Sequence, residues 1–416
     1  MTTTPEFNPV FVHASMRSGS TYFFDVLRRQ KTLLCFNEAI TDGRNDYSRF
    51  RSARKRDVER VRTLQKWDVN HHFLDRADFD EFVDAWDAIK DLCPDFPEFQ
   101  DYFPPKGMLS AELTAYLSAL MAHARSQDKR PAFCEVSSRG RAGALRGAFG
   151  GFHVAQYRDP LSQFGSFIRG LIEGGTWTFL ATPLMELGGE HSLCRLVPEA
   201  WRPPSLPWRA ANRAQFWASN VRHFAIVASP RPQTIEKVFR WHLFSWVLSN
   251  LAAMSYSDMA LDIDRLHDRA DYRATVIADL ARGIDATPDF NDLRKFDRYY
   301  QFESFDMTIV CGQVVSAIRA ALRDGRLDEA LRSLGIQPPT IPAATAVEIL
   351  LVKIGDSLDS MAASSDRRFI RAKEWQAIAE KNRRIWFKPG VRWFAQHVYS
   401  LAAPVVRVAR RAGISV

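Results

Sequence analysis

The chain opens with a short apolar run, Val10-Phe-Val-His-Ala14, and then turns abruptly to Ser15-Met-Arg-Ser-Gly-Ser-Thr21. From Tyr22 to Arg29 an unbroken stretch carrying Phe23, Phe24, Val26 and Leu27 follows. A β-branched run, a tight polar loop and an amphipathic stretch predict strand, turn and helix. No other feature constrains the fold as much. A strand that hands over directly to a helix needs a parallel neighbour, and parallel neighbours need helical crossovers. Such a loop is also built to hold an anion, because backbone N–H groups converge at a helix N-terminus that carries partial positive charge.

The pattern repeats. Ala132–Val136 and His153–Tyr157 read as strands, the second ending at Arg158-Asp-Pro160 before a helical stretch from about Leu161. Glu236–Ser255 reads as a long buried helix, Met259–Ile263 as a strand and Tyr272–Gly283 as a helix. The predicted class is α/β: a P-loop-like three-layer α/β/α fold with a central parallel sheet, helical insertions and a helical C-terminal extension. The expected division is a main domain over 1–305, with insertions at about 42–130 and 177–232, and a helical segment over 306–416. The polar, acid-rich stretch 75–101 and the Pro-rich stretch after Trp177 suggest those insertions, and Gln337–Pro342 reads as a linker.

Composition narrows the function. With 46% hydrophobic and 25% charged residues the chain is not disordered. Its five cysteines are odd in number, widely spaced and without a C-x-x-C, so neither a disulfide framework nor a metal site is expected. No basic leader with an apolar core and no run of 18 apolar residues appears. The expected location is cytoplasmic, at most peripheral at the inner face of a membrane. The net charge of +8 is unevenly placed: of 56 basic and 48 acidic residues, 367–416 hold 12 and 2, leaving 44 and 46 for the rest. A near-neutral body argues against nucleic acid. In the tail Ile370, Ala377, Ile378 and Ile385 recur at helical spacing among Arg and Lys, Val391, Phe394, Val398 and Leu401 continue on one side, and Trp375, Trp386, Trp393 and Tyr399 add amphipathic rings. Such a helix suits either an anionic membrane surface or packing on the body with its basic face in water.

Aligned with the nucleotide-binding pattern G-x-x-x-x-G-K-[ST], Ala14–Thr21 reads A-x-x-x-x-G-S-T. Gly19 and Thr21 remain, Ser20 replaces the lysine, and the basic residue is Arg17. Nucleoside triphosphate hydrolysis needs that lysine, so the loop argues against it while keeping an anion cradle.

Arg17-Ser-Gly-Ser-Thr21 after a strand resembles the 5′-phosphosulfate loop of the sulfotransferases, in particular the carbohydrate and tyrosylprotein branch with R-S-G-[ST]-T. A second signature of that family, R-[DN]-P with a Ser eight residues after the Arg, is matched by Arg158-Asp-Pro and Ser166. A weaker echo lies at Asp262-Ile-Asp-Arg-Leu266. The resemblance covers residues 8–300 through landmarks only. It implies a PAPS-dependent enzyme (PAPS being 3′-phosphoadenosine 5′-phosphosulfate) that sulfates a hydroxyl, without metal. Arg17, Ser18, Gly19, Ser20 and Thr21 would hold the 5′-phosphosulfate, and Arg158 and Ser166, turned toward each other, the 3′-phosphate. Arg17 would also act in catalysis. Glu38 is the expected base, standing 21 residues after Arg17 as in the tyrosylprotein type. His13, His71 and His72 are the rival bases.

One departure stands out. Related enzymes place a lysine shortly after the strand at Ala132–Val136, whereas here Ser137-Ser-Arg-Gly-Arg141 follows, so Arg139 or Arg141 has to replace it. The acceptor is open between glycan, glycolipid, tyrosine and metabolite. The other readings are an inert sulfotransferase-like protein that docks on a membrane or partner, and a small-molecule kinase on the same scaffold.

Overall fold

The structure, a computed structural model, describes residues 8–40, 80–92, 102–104, 107–174, 178–188, 191–204, 222–294, 298–335 and 338–386. Five parallel strands form the central sheet: β1 (Val10–His13), β2 (Leu33–Asn37), β3 (Arg130–Glu135), β4 (Phe152–Tyr157) and β5 (Met259–Asp262). Their order is β2-β3-β1-β4-β5, with Val10 opposite both Ala132 and Phe152. Buried on both faces, such strands carry near-continuous apolar runs, which is why β1, β3, β4 and β5 fall where the sequence predicts.

Alternation along each strand feeds two cores. Val10, Val12, Ala132, Cys134, Val154 and Leu261 pack with Phe23, Phe24 and Leu27 of α1 (Ser20–Arg28). On the opposite face Phe11, Phe36 and Phe133 meet α2 (Ala111–Arg125). Helix α2 corrects the expectation that 42–130 is all insertion over the sheet. Leu113, Tyr116, Leu117, Leu120, Met121 and Ala124 form one apolar stripe with helical spacing, and Ser110 Oγ caps it by accepting from Leu113 N at 3.1 Å. It is the crossover between two neighbouring strands and belongs to the layer itself. Helices α3 (Ala142–Phe149) and α4 (Pro160–Gly174), which follow β3 and β4, supply Leu145 and Phe164 to this same face.

The boundary expected at 305/306 is not a boundary in packing. Helices α5 (Thr178–Leu187), α6 (Pro232–Ser255), α9 (Met307–Arg323) and α10 (Ala343–Ala363) share one core in which Leu184, Phe239, Val314 and Leu350 are all buried. Between α6 and α9 lie α7 (Ile263–Asp268) and α8 (Ala270–Ile284). The predicted linker is tied down, since Thr340 N donates to Ser255 O at 2.6 Å. Arg367–Ile370, expected to be helical, is strand β7. It pairs in parallel with β6 (Tyr299–Phe302), Tyr299 facing Arg367.

Helix α11 (Ala372–Trp386) turns Trp375 and Ala379 inward, with the Trp375 ring edge-on to Phe302 at 6.1 Å. Over this part of the tail the packed alternative is the one observed. The tail beyond 386, His71, His72 and Trp177 lie outside the described residues. Among the described residues, no helix is long and apolar enough to cross a membrane.

Candidate functional site

The helices after β1 and β4 lie on opposite faces of the sheet, so a crevice opens between the C-terminal ends of these two strands, the usual ligand position in open α/β sheets. Arg17 and Arg158 both stand at it. The loop leaving β1 is fastened from below. Gln156 Nε2 donates to Ser18 O at 2.8 Å, and Gln163 Nε2 to Ser15 Oγ at 2.7 Å and Met16 O at 2.5 Å. Ser18 Oγ donates to Ser15 O at 2.7 Å. Two of the loop's N–H groups are used within the turn, Ser18 N on Ser15 O at 3.2 Å and Ser15 N on Ser18 Oγ at 3.3 Å, which leaves those of Gly19, Ser20 and Thr21 at the start of α1 to face a ligand. The first turn of α1 has no side-chain cap, its N-cap being Gly19 at φ 85°.

Gly19 is required by that geometry. A Cβ there would come within 3.3 Å of Ile263 Cγ1, at a backbone angle that side chains disfavour. Gly19→Ala is expected to fold but to lose about 1–2 kcal/mol, with weakened anion binding. A melt and an affinity both equal to wild type would show that the left-handed turn is dispensable.

Arg17 itself holds φ 63°. Its Nε donates to Ser166 Oγ at 2.9 Å, and its guanidinium lies 5.7 Å from the centre of the Phe179 ring. No carboxylate among the described residues pairs with it. Burial, then Arg158 and Arg169, pull its pKa down to about 10, so it stays charged at neutral pH. Arg158 and Arg169 thus disfavour charge on Arg17, while each of them has a carboxylate of its own, Asp264 at 3.7 Å and Glu173 at 2.8 Å.

Arg158 is arranged differently from expectation. It donates to Ser162 Oγ at 2.8 Å and to the carbonyl of Arg17 at 3.3 Å, and its Nε lies 3.7 Å from Asp264 Oδ1. Pro160 starts α4, which places Ser162, one turn in, beside Arg158, and Ser166, two turns in, beside Arg17. Arg158 and Ser166 are thus linked through Arg17 and not to each other.

Behind Arg158 lies a buried ionic network. Lys353 Nζ reaches Asp262 Oδ1 at 2.8 Å and Asp264 Oδ2 at 2.9 Å, and Asp264 Oδ2 accepts from Asp159 N at 2.6 Å. Burial pushes the Asp262 carboxyl up, and Asp264, beside Lys353 and Arg158, is held below the usual carboxylate range. Asp262 also caps α7, accepting from Asp264 N at 3.1 Å.

The remaining candidates divide clearly. Glu38 follows β2 directly at φ 53°, its N–H bonded to Cys134 O at 2.7 Å. One strand, β3, separates β2 from β1, an offset of about 10 Å at ordinary strand spacing. Glu38 therefore stands on the β2 side of the loop, and Arg158 and Ser166 on the β4 side. His13 is fully buried, with Nδ1 2.7 Å from Ser138 Oγ and Nε2 2.9 Å from His153 Nδ1. Burial and then His153 hold its pKa well below the usual value. It is a packed strand histidine, closed off from any acceptor.

Arg139 Nη2 donates to Glu186 Oε1 at 2.7 Å, while Nε and Nη1 are buried without an acceptor among the described residues. Arg141, 1% exposed, turns back to Ser137 O at 3.4 Å. Of the two, Arg139 has donors to offer.

Sequence reasoning missed the stripe on α5. Phe179, Thr182 and Glu186 meet Arg17, Met16 and Arg139 in that order. The spacing of three and four is the signal, obscured by the prolines downstream.

Fold and site together give an α/β protein with Arg17 and Arg158 at the switch point of a parallel sheet. No protein-family model matches the chain, and no curated protein or solved structure does either.

Proposed function

We propose that this protein is a PAPS-dependent sulfotransferase acting on an acceptor hydroxyl, most simply of a carbohydrate or glycolipid. The observation that carries the reading is Arg17: a guanidinium at an uncapped helix N-terminus, bonded to Ser166, crowded by two further arginines and lacking a carboxylate partner. A site of that kind favours a ligand with more than one anionic group.

In this reading the loop is P-loop-like. Arg17, at the turn braced by Ser18, and the amides of Gly19, Ser20 and Thr21 hold the 5′-phosphosulfate, whose sulfuryl group is the electrophile. Arg158 and Ser166, with Ser162 between them, hold the 3′-phosphate. Glu38 takes the acceptor proton from the opposite side of the loop, the arrangement an in-line transfer needs. Arg139, braced by Glu186, takes the place of the lysine found in related enzymes and stabilises charge on the leaving oxygen. No metal is invoked. The proposed workplace is the cytoplasm.

The deciding experiment follows radiolabelled sulfate from PAPS into a panel of glycans, glycolipids, tyrosine peptides and small alcohols. Transfer to any of them supports the reading. PAPS binding without turnover favours the inert binding protein, for which the burial of Arg139 against Glu186 is the supporting observation. ATP binding without PAPS binding would turn the assignment toward a kinase, although Ser20 stands where a kinase needs lysine.

A further inference from the structure

Everything assigned so far lies before residue 187, yet the turn that carries Arg158 is held from the far end of the chain. Helix α10 sends two side chains from one face, one turn apart, to the C-terminal ends of β4 and β5. Lys353 bonds both oxygens of Asp262, at 2.8 and 2.9 Å, and Asp264 Oδ2 at 2.9 Å. Ser357 Oγ donates to Asp159 Oδ1 and accepts from Leu161 N at 3.3 Å. Tyr299, on β6, donates to Asp159 Oδ2 at 2.9 Å.

We propose that Lys353 and Ser357 are positioning residues for the Arg158 anion clamp, so that the C-terminal part of the chain is a working part of the ligand site. Asp262 and Asp264 are 1% and 6% exposed, and Lys353 is the cation that bonds both. The other cation near Asp264 is Arg158, 3.7 Å away. Without Lys353 two buried carboxylates lose their compensation, and Arg158 is drawn in to serve them. A guanidinium bound by Asp264 has its donors turned away from the crevice. Lys353 thus limits the pull on Arg158, which keeps its bonds to Ser162 Oγ and the Arg17 carbonyl at the crevice. Ser357 acts on the same turn through Asp159, the residue next to Arg158.

The proposal rests on the anion-site reading above, so its test uses two probes. Adenosine 3′,5′-bisphosphate and inorganic pyrophosphate are titrated calorimetrically into the full chain. Lys353→Met is expected to weaken both by about tenfold or more, Lys353→Arg by less than about threefold, and Ser357→Ala by about threefold to tenfold. Leu120→Ala, a change in the separate core between α2 and the sheet, controls for general loosening: it lowers the melting temperature and leaves affinity alone. Wild-type affinity in folded Lys353→Met overturns the proposal. If that variant does not fold, wild-type affinity in Ser357→Ala does so, as does an equal loss in Leu120→Ala. Wild-type protein that binds pyrophosphate but not the bisphosphate refutes the sulfotransferase reading, while the pyrophosphate series still decides this one. Protein that binds neither probe refutes both.

Discussion

Arg17→Ala is expected to lose about 100-fold or more in affinity for adenosine 3′,5′-bisphosphate while melting no lower than wild type. The first half follows from the bonds removed. A charge-assisted hydrogen bond contributes about 1.5–3 kcal/mol, and a guanidinium can supply two of them to one phosphate. Three kilocalories correspond to roughly two orders of magnitude in affinity. The second half follows from what surrounds Arg17 in the free protein. It pairs with no carboxylate among the described residues, its bond to Ser166 is a neutral acceptor's, and Arg158 and Arg169 repel it. Removing it relieves that repulsion, as is common where a site holds strain for its ligand. Calorimetry and a thermal melt on the same preparation separate the two effects. Undiminished binding removes Arg17 from the site, and a melt lowered by several degrees with binding retained makes it a structural residue. Arg17→Lys should fall between, keeping the charge and losing the planar donor at Ser166.

How much of this was legible in the sequence depends on whether the cause is local. Four strands of the central sheet, β1, β3, β4 and β5, are legible because burial on both faces leaves runs such as Val10–Val12 and Phe133–Cys134 with no polar interruption. Strands β6 and β7 are not, since Tyr299 and Arg367 are brought together by helices α9 and α10, and four residues alone carry no period. Helix α2 had a full apolar stripe from Leu113 to Ala124, masked by the acidic stretch before it.

The same distinction applies to the site. Arg17, Gly19 and Arg158 are readable because loop and strand end place them. The exchange of serine partners is not, because it depends on α4 beginning at Pro160 and not a turn later. Lys353 has no local signature at all. A lysine on a helix ordinarily reads as solvated, and only the fold shows two aspartates waiting behind β5. Left-handed backbone is equally silent in sequence. Arg17 and Glu38 are two of four such non-glycine residues among those described, and both are site candidates. Strain of this kind, of order 1–3 kcal/mol, persists where function requires the conformation.

Glu38→Gln is the second large effect expected. The substitution keeps shape and hydrogen-bonding capacity but cannot accept a proton, so kcat should fall by about 10²–10⁴-fold, the usual share of a positioned general base. In the proposed reading the KM for PAPS should stay within about threefold, because the donor would be held by Arg17, Arg158 and Ser166 and not by the end of β2. Position supports this split. Strand β3 stands between β2 and β1, so the Glu38 backbone is offset by about 10 Å from the end of β1, a gap that in the proposed reading the acceptor hydroxyl would occupy. A base placed next to Arg17 would instead have neutralised the very charge that holds the ligand. The φ of 53° aims Glu38 out of the strand direction, and Gln tolerates that backbone no worse than Glu, so the melting temperature should be unchanged. A kcat within threefold of wild type would eliminate Glu38 as base. His13, sealed between Ser138 and His153, could not inherit the role, and the proton would then have to leave to water or to a group carried by the acceptor itself.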